Sequence, residues 1–323
     1  MDRTRPRLPL VAIMAAALPL FAVAPASGQL YFADIFNPEF SSGEISRVNV
    51  NGTGLQQLVD TGGGIRGLDL DLPGGKMYWA DVDDSVIRRA NLDGSGQEDL
   101  IDLVGGKEGP FPSALAVDSA TDKIYWGDQT LGTMNRANLD GSGQEVLFST
   151  PFHRGLAIDH ENGKMYWSTS ISQFKGEIWR SNLDGTDQEL VVSSKDSRFK
   201  PNKIALDIAG GKIYWTDYVV DIVRRSNLDG SGIQTLYTPP FNRNPEGITL
   251  DLQAGMVYWG QDIEIEGHTG KIMAMGLDGS NPHNIITGFG HVNEIVYAPV
   301  PEPATLLILS AGLFTLIRAR RAK

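Results

Sequence analysis

Apolar and polar residues alternate in short runs through the middle of this chain, and the stretch from 203 to 237 shows the pattern in full. Lys203-Ile204-Ala205-Leu206-Asp207 is followed by Ile213-Tyr214-Trp215, Ile222-Val223-Arg224-Arg225 and Gln234-Thr235-Leu236-Tyr237, with Gly210-Gly211 and Asp229-Gly230 in two of the gaps. Short β-prone runs separated by glycine-bearing turns predict a four-stranded antiparallel meander.

The pattern recurs. Tyr78-Trp79, Tyr125-Trp126, Tyr166-Trp167, Tyr214-Trp215 and Tyr258-Trp259 are spaced by 47, 41, 48 and 44 residues, and Tyr31-Phe32 stands 47 before the first. Each is trailed by a turn, from Asn51-Gly52 through Asp93-Gly94, Asp140-Gly141, Asp184-Gly185 and Asp229-Gly230 to Asp278-Gly279. Repeats of about 40 to 50 residues built from short strands indicate propeller blades. The first copy begins at its second strand, Leu30-Tyr31-Phe32, and the missing strand stands at the far end as Asn293-Glu294-Ile295-Val296-Tyr297, aligned with Glu246-Gly247-Ile248-Thr249-Leu250. The predicted fold is all-β: a six-bladed β-propeller of four-stranded antiparallel blades over residues 29–298. The N- and C-terminal strands pair in one blade, which leaves no open edge.

Tyr214-Trp215-Thr216-Asp217 is a complete YWTD motif, and Tyr78-Trp79-Ala80-Asp81 and Tyr125-Trp126-Gly127-Asp128 are close variants. The region resembles the six-bladed YWTD propeller of low-density-lipoprotein-receptor proteins, with a leading Leu-Asp strand and a trailing Leu-Asp-Gly turn. It departs from that pattern at Ser168-Thr169 and Gln261, where the motif aspartate is missing, and no cysteine-rich module follows. The endocytic role of the receptors is therefore not implied.

Recurrence of the Tyr-Trp pairs at one place in every blade marks them as packing wedges, because an aromatic side chain buries about 150 to 250 Å². The third-strand arginines Arg47, Arg89, Arg136, Arg180 and Arg225 are expected to form cross-strand ion pairs with Asp34, Asp81, Asp128 and Asp217. Gln261 and Ala274 replace both partners together, whereas Arg180 would face Thr169. Turns such as Asn91-Leu92-Asp93-Gly94-Ser95-Gly96 read as hairpins rather than calcium loops, since Arg89 stands at the first ligand position. The five histidines, His153, His160, His268, His283 and His291, do not recur with metal spacing and read as loop residues. No metal, no cofactor and no catalytic residue is assigned, and no Gly-x-Ser-x-Gly elbow occurs.

In a meander, the turns after strands one and three share one face and those after strands two and four share the other. The first set is short and uniform, as in Asp122-Lys123 and Gly210-Gly211-Lys212; the second is long and varied, as at 34–44, 169–177, 261–271, 104–113, 193–202 and 237–246. Variable loops on a rigid scaffold are where recognition sits. On that face the residues opening the innermost strands, Arg66, Ser113, Arg154, Asn202, Glu246 and Asn293, are expected to ring the channel mouth. Phe111, Phe152, Phe199, Phe241 and Phe289 precede them and read either as plugs at the blade junctions or as an aromatic rim. Related lactonase-like propellers hold calcium in the channel with carboxylates and amides, but two arginines and one acid, beside the adjacent Glu294, would repel a divalent cation.

The ends differ in kind. Residues 1–28 join Arg3, Arg5 and Arg7 to an apolar run from Leu8 to Val23 and small residues at Ala24-Pro25-Ala26-Ser27-Gly28, the build of a signal peptide cut after Ala26 or Gly28. Residues 299–323 place Pro301-Glu302-Pro303 before an apolar run from Ala304 to Ile317 and a basic terminus of Arg318, Arg320, Arg321 and Lys323. Fourteen residues would make a helix of about 21 Å, short of the roughly 30 Å hydrocarbon core. This tail resembles the PEP-CTERM sorting signal of Gram-negative bacteria. The resemblance implies transient membrane insertion, removal by an exosortase-type protease and release to the cell surface or extracellular matrix.

Without its ends the chain holds 21 basic and 37 acidic residues, a formal charge of -16, against -11 for the whole. That balance excludes nucleic acid as a partner. Cysteine is absent, which removes disulfides and thiolate chemistry. The expected function is a non-catalytic propeller that binds an extracellular protein or polysaccharide. The alternatives are a purely structural matrix protein and a calcium-dependent lactonase-like hydrolase, the latter requiring a carboxylate cluster at the channel mouth.

Overall fold

The computed structural model describes residues 28–35, 43–103, 109–151, 153–194, 198–240, 244–262 and 270–300. Twenty-four strands, β1 to β24 in chain order, form six four-stranded antiparallel sheets among the described residues, as the repeat predicts. Blade 1 has the order β24-β1-β2-β3, so the last strand, β24 (Val292–Pro299), is innermost in the blade opened by β1 (Gly28–Asp34). The two strands pair from Gly28↔Pro299 to Asp34↔Val292. The other innermost strands are β4 (Ile65–Asp71), β8 (Pro112–Asp118), β12 (His153–Asp159), β16 (Pro201–Asp207) and β20 (Pro245–Asp251). They open blades 2 to 6 in turn.

The second strands are buried on both faces because each blade is sandwiched between two others, which is why Tyr and Trp can follow one another. Tyr78 and Trp79 are 1% and 0% exposed, and Tyr214 and Trp215 repeat those values. Each Tyr enters the cluster of one blade junction and its neighbouring Trp enters the other. Burying such wedges at every junction supplies the main hydrophobic stabilisation.

The Asp-Gly turns are built locally and then used between blades. In one, Asp93 Oδ1 accepts from the Ser95 amide at 3.0 Å, and Gly94 adopts φ +86°. A Cβ on Gly94 would lie 2.2 Å from the Leu58 carbonyl of the preceding blade, so glycine is demanded both by the left-handed backbone and by the contact.

The expected partnering of the third-strand arginines is corrected by three residues along the second strand. Arg89 lies opposite Tyr78 and Arg225 opposite Tyr214, not opposite the motif aspartates, and Arg180 lies opposite Tyr166 rather than Thr169. Their partners come from the fourth strand instead: Arg89 meets Glu98 and Arg136 meets Glu145, both at 2.6 Å, Arg180 meets Glu189, and Arg47 and Arg225 donate to Gln56 and Gln234. A second guanidinium nitrogen crosses to the next blade, as Arg89 to the Leu139 carbonyl at 2.8 Å and Arg136 to the Leu183 carbonyl at 3.0 Å. These arginines are inter-blade clasps, and the neighbouring residue meets the aspartate, as Arg88 meets Asp81 at 2.5 Å.

The motif aspartates also hold the variable-loop face. Asp34 accepts the amides of Gly290 and His291, Asp128 that of Phe111 as well as those of Thr130 and Leu131 in its own hairpin, and Asp217 that of Lys200. Each carboxylate ties its blade to the loop that leads from the fourth strand of one blade into the next.

Candidate functional site

All six innermost strands carry a register shift at the end facing the variable loops, at Ile65/Gly67, Pro112/Leu115, His153/Leu156, Pro201/Ile204, Pro245/Ile248 and, in β24, around Asn293. Each bulge contains one predicted ring residue. A bulge leaves its extra residue out of the ladder and re-aims the side chain, and here all six, Arg66, Ser113, Arg154, Asn202, Glu246 and Asn293, line one cavity of about 120 Å³ at the channel mouth. Phe111, Gln129 and Lys203 complete its wall.

Five of the six are held rather than loose. Asn202 Nδ2 donates to Glu246 Oε2 at 2.6 Å, Asn293 Nδ2 to the Ile65 carbonyl at 2.6 Å and Ser113 Oγ to the Gly127 carbonyl at 3.3 Å. The Arg154 guanidinium lies 4.8 Å over the Tyr218 ring, and burial lowers its pKa. Arg66 alone is exposed. Among the preceding phenylalanines, Phe199 and Phe289 are 0% and 6% exposed and pack edge-on against Trp215 and Phe32, so these two are plugs and not rim. Phe111 reaches the cavity; Phe152 and Phe241 lie outside the described residues.

His291 was expected to be a solvated loop residue and is instead part of this site. Its Nδ1 lies 3.1 Å from Asp262 and its Nε2 lies 3.6 Å from Glu246. Burial opposes the imidazolium, but Glu246 and Asp262 outweigh it and raise the His291 pKa above its ordinary value. Burial likewise pushes Glu246 up, while His291 and Asn202 pull it below the usual range. In its protonated form, which the two carboxylates favour, His291 is a neutralised support with no lone pair left to act as a base.

Below the mouth, Lys203 and Glu294 form an ion pair, and the Lys203 ammonium also donates to the Arg66 carbonyl at 3.0 Å. At that third inner-strand position blades 2, 4 and 6 carry Gly67, Gly155 and Gly247. A Cβ on Gly247 would come within 2.7 Å of the Glu294 backbone, so the glycine lets the innermost strands of blades 6 and 1 approach closely. Lys203 and Arg154 line both the mouth and the channel cavity of about 200 Å³ beneath it, and so separate the two. Within the channel Asp69 accepts the amides of Leu70 and Val117, each at 2.8 Å, and burial raises its pKa to about 6.

Glu246 is the one carboxylate of the mouth lining, with Arg66, Arg154 and Lys203 around it. Among the described residues no three His, Asp or Glu side chains come together as metal ligands. The donor set therefore does not fit the calcium site of lactonase-like propellers, which needs several anionic or neutral oxygens free of competing cations.

The repeated motif, the closed ring and the tail together define a six-bladed propeller of the YWTD kind that carries a sorting signal. Residues 299–321 match the PEP-CTERM protein-sorting motif, which marks the chain for export. In sequence the chain is similar to low-density lipoprotein receptor-related protein 1 of Pyricularia oryzae, 31% identical over 168 residues, covering 47% of this chain and 52% of that protein. It is also similar to protein cueball of Drosophila sechellia, 30% identical over 172 residues, covering 52% of this chain and 24% of that one. The chain thus spans about half, or less, of these relatives' own length. In structure it resembles a chain of a nidogen/laminin complex, at TM-score 0.70 and 22% identity over 84% of this chain and 98% of that one. It also resembles TolB from Acinetobacter baumannii, at TM-score 0.68 and 14% identity over 86% of this chain and 68% of that one. Both likenesses show the fold.

Proposed function

We propose that this exported propeller is a non-catalytic binding protein that takes an extracellular protein or polysaccharide at its channel mouth. The observation that carries the reading is the convergence of six bulged side chains on one cavity, on the face that also gathers the variable loops. Repeated bulges that aim polar side chains at one point are the arrangement of a recognition site. Arg66 and Arg154 give the mouth its affinity for a carboxylate or sulfate on the ligand. The chain resembles a member of a nidogen/laminin complex, which supports a protein-binding or matrix-binding role for the face. Its tail is cut by an exosortase-type protease, and the propeller is then released to the surface or matrix of a Gram-negative cell.

The test is capture of surface polymer and secreted protein from the producing cells by the exported chain and by an Arg66→Ala/Arg154→Gln variant. The variant is expected to lose the captured ligand at an unchanged melting temperature, and wild-type capture should weaken as salt shortens the Debye length below about 8 Å. Undiminished capture by a folded double variant would overturn the assignment.

A further inference from the structure

The departure of blade 4 from the repeat changes the chemistry of a groove on the flank of the ring between blades 3 and 4. The corresponding groove of blade 2, a cavity of about 270 Å³ beside Trp79, is lined by Arg88, Glu98 and Asp99 and is strongly charged. In blade 2, Arg88 lies opposite Trp79 and pairs with Asp81, Asp84 and Asp99 at 2.5, 2.6 and 2.7 Å. In blade 5, Arg224 lies opposite Trp215, faces Asp217 at 3.8 Å and covers Phe199 at 5.4 Å. In blade 4 both members of that pair are replaced: Trp179 lies opposite Trp167, and Thr169 lies opposite Glu177. These four alternate along β13 (Lys164–Ser170) and β14 (Gly176–Asn182), so they share one sheet face.

The groove they form is a cavity of about 220 Å³, closed on the blade 3 side by Ser149, Thr150 and Pro151. Trp179 is half-buried, with its Nε1 donating to Glu177 Oε2 at 2.9 Å, which fixes the indole against the groove. Thr169 is 3% exposed, and its Oγ1 has no hydrogen-bond partner. A buried hydroxyl left unsatisfied costs free energy that a ligand hydroxyl would recover.

We propose that this groove binds one ring of a neutral polysaccharide. A pyranose offers an apolar C–H face for Trp179 and hydroxyls that both donate and accept. The groove supplies matching partners in the Thr169 hydroxyl, the Glu177 carboxylate and the Gln188 amide. No Lys, Arg or His is among the lining residues, so an anionic sugar or a nucleotide has no counter-charge there. The contrast with the arginine-bearing mouth makes the two sites selective for different chemistry.

The test uses the exported chain and a panel of soluble probes: cellohexaose, mannohexaose, the anionic polymer polygalacturonate and a proline-rich peptide, read by tryptophan emission and by calorimetry. A neutral hexasaccharide is expected to bind saturably. Thr169→Val, which deletes one unpaired hydroxyl, should weaken that binding about fivefold, the share of one neutral hydrogen bond, with melting unchanged. Trp179→Ala should abolish it, and Trp179→Phe, which keeps an aromatic face if the alanine variant fails to fold, should retain a weakened form. Arg66→Ala should leave it intact, which separates this site from the mouth. Failure of both neutral probes to bind at millimolar concentration, binding unaffected by Thr169→Val and Trp179→Phe, or binding of the peptide or the anionic polymer in this groove would each overturn the proposal.

Discussion

Removal of the closing strand tests the architecture most directly. A chain ending at Gly290 loses β24, whose Val292, Ile295 and Ala298 are 0%, 3% and 6% exposed between blade 1 and its neighbours. Full burial of a Val or Ile side chain contributes about 1.5 to 3 kcal/mol, so these apolar groups alone supply about 4 to 6 kcal/mol. The truncation also leaves Lys203 without Glu294, the Ile65 carbonyl without Asn293, and the inner edge of β1 unpaired from Gly28 to Asp34. Each orphaned buried polar group adds about 1 to 3 kcal/mol. The total reaches the roughly 5 to 15 kcal/mol by which domains are stable. The chain ending at Gly290 should therefore show no cooperative thermal transition, while a chain ending at Pro299 should melt like the full propeller. Calorimetry of the two decides it. Ile295→Ala, with an expected cost of about 2 to 5 kcal/mol, provides an intermediate point. If the shorter chain melts cooperatively within a degree or two of the longer, the ring is not held shut by this strand.

Burial raises the pKa of Asp69 to about 6, and the surrounding carboxylates raise that of His291 against its burial. A raised carboxyl pKa means stability is lost as pH climbs from about 4 toward 6, and a raised imidazole pKa means it is lost as pH climbs past about 6.5. Melting temperature should thus fall from pH 5 to pH 8, with His291→Gln flattening the upper part; a profile that rises over this range would contradict both placements. Arg136→Gln removes the clasp to the Leu183 carbonyl and should cost about 1 to 2 kcal/mol in chemical denaturation. Glu145→Gln, which disturbs only the half-exposed end of the same arginine, should cost less, and equal costs would remove the inter-blade role. Intact mass of the exported protein should show a first residue at Ser27, since cleavage after Gly28 would delete the residue that pairs with Pro299, and should show the tail gone; a chain still ending at Lys323 would refute the processing step.

Blade number, blade order and the shared first blade were legible in the sequence because they rest on local signals. Runs of alternating residues, Asp-Gly turns and a repeat near 45 residues do not depend on what each strand touches. The six mouth residues were legible for the same reason, since aligning the repeats places them at one position of the inner strand. Lys203 could have been found that way too, standing where Gly67, Gly155 and Gly247 stand in alternate blades.

Partner choice belonged to the tertiary structure. Pairing with Tyr78, three residues short of Asp81, turns Arg89 from an aspartate's partner into a clasp on the next blade, 50 residues away, and periodicity alone does not set the register. The bulges that aim the ring residues leave no composition mark. His291 joins Asp262 and Glu246 only because two blades meet there, and Phe199 is drawn inward only because Trp215 and Arg224 stand ready to cover it. The flank groove of blade 4 was visible as a missing aspartate at Thr169, but its meaning was not. Its aromatic floor comes from Trp179 standing opposite Trp167, a pairing that the closed sheet decides and the repeat only permits.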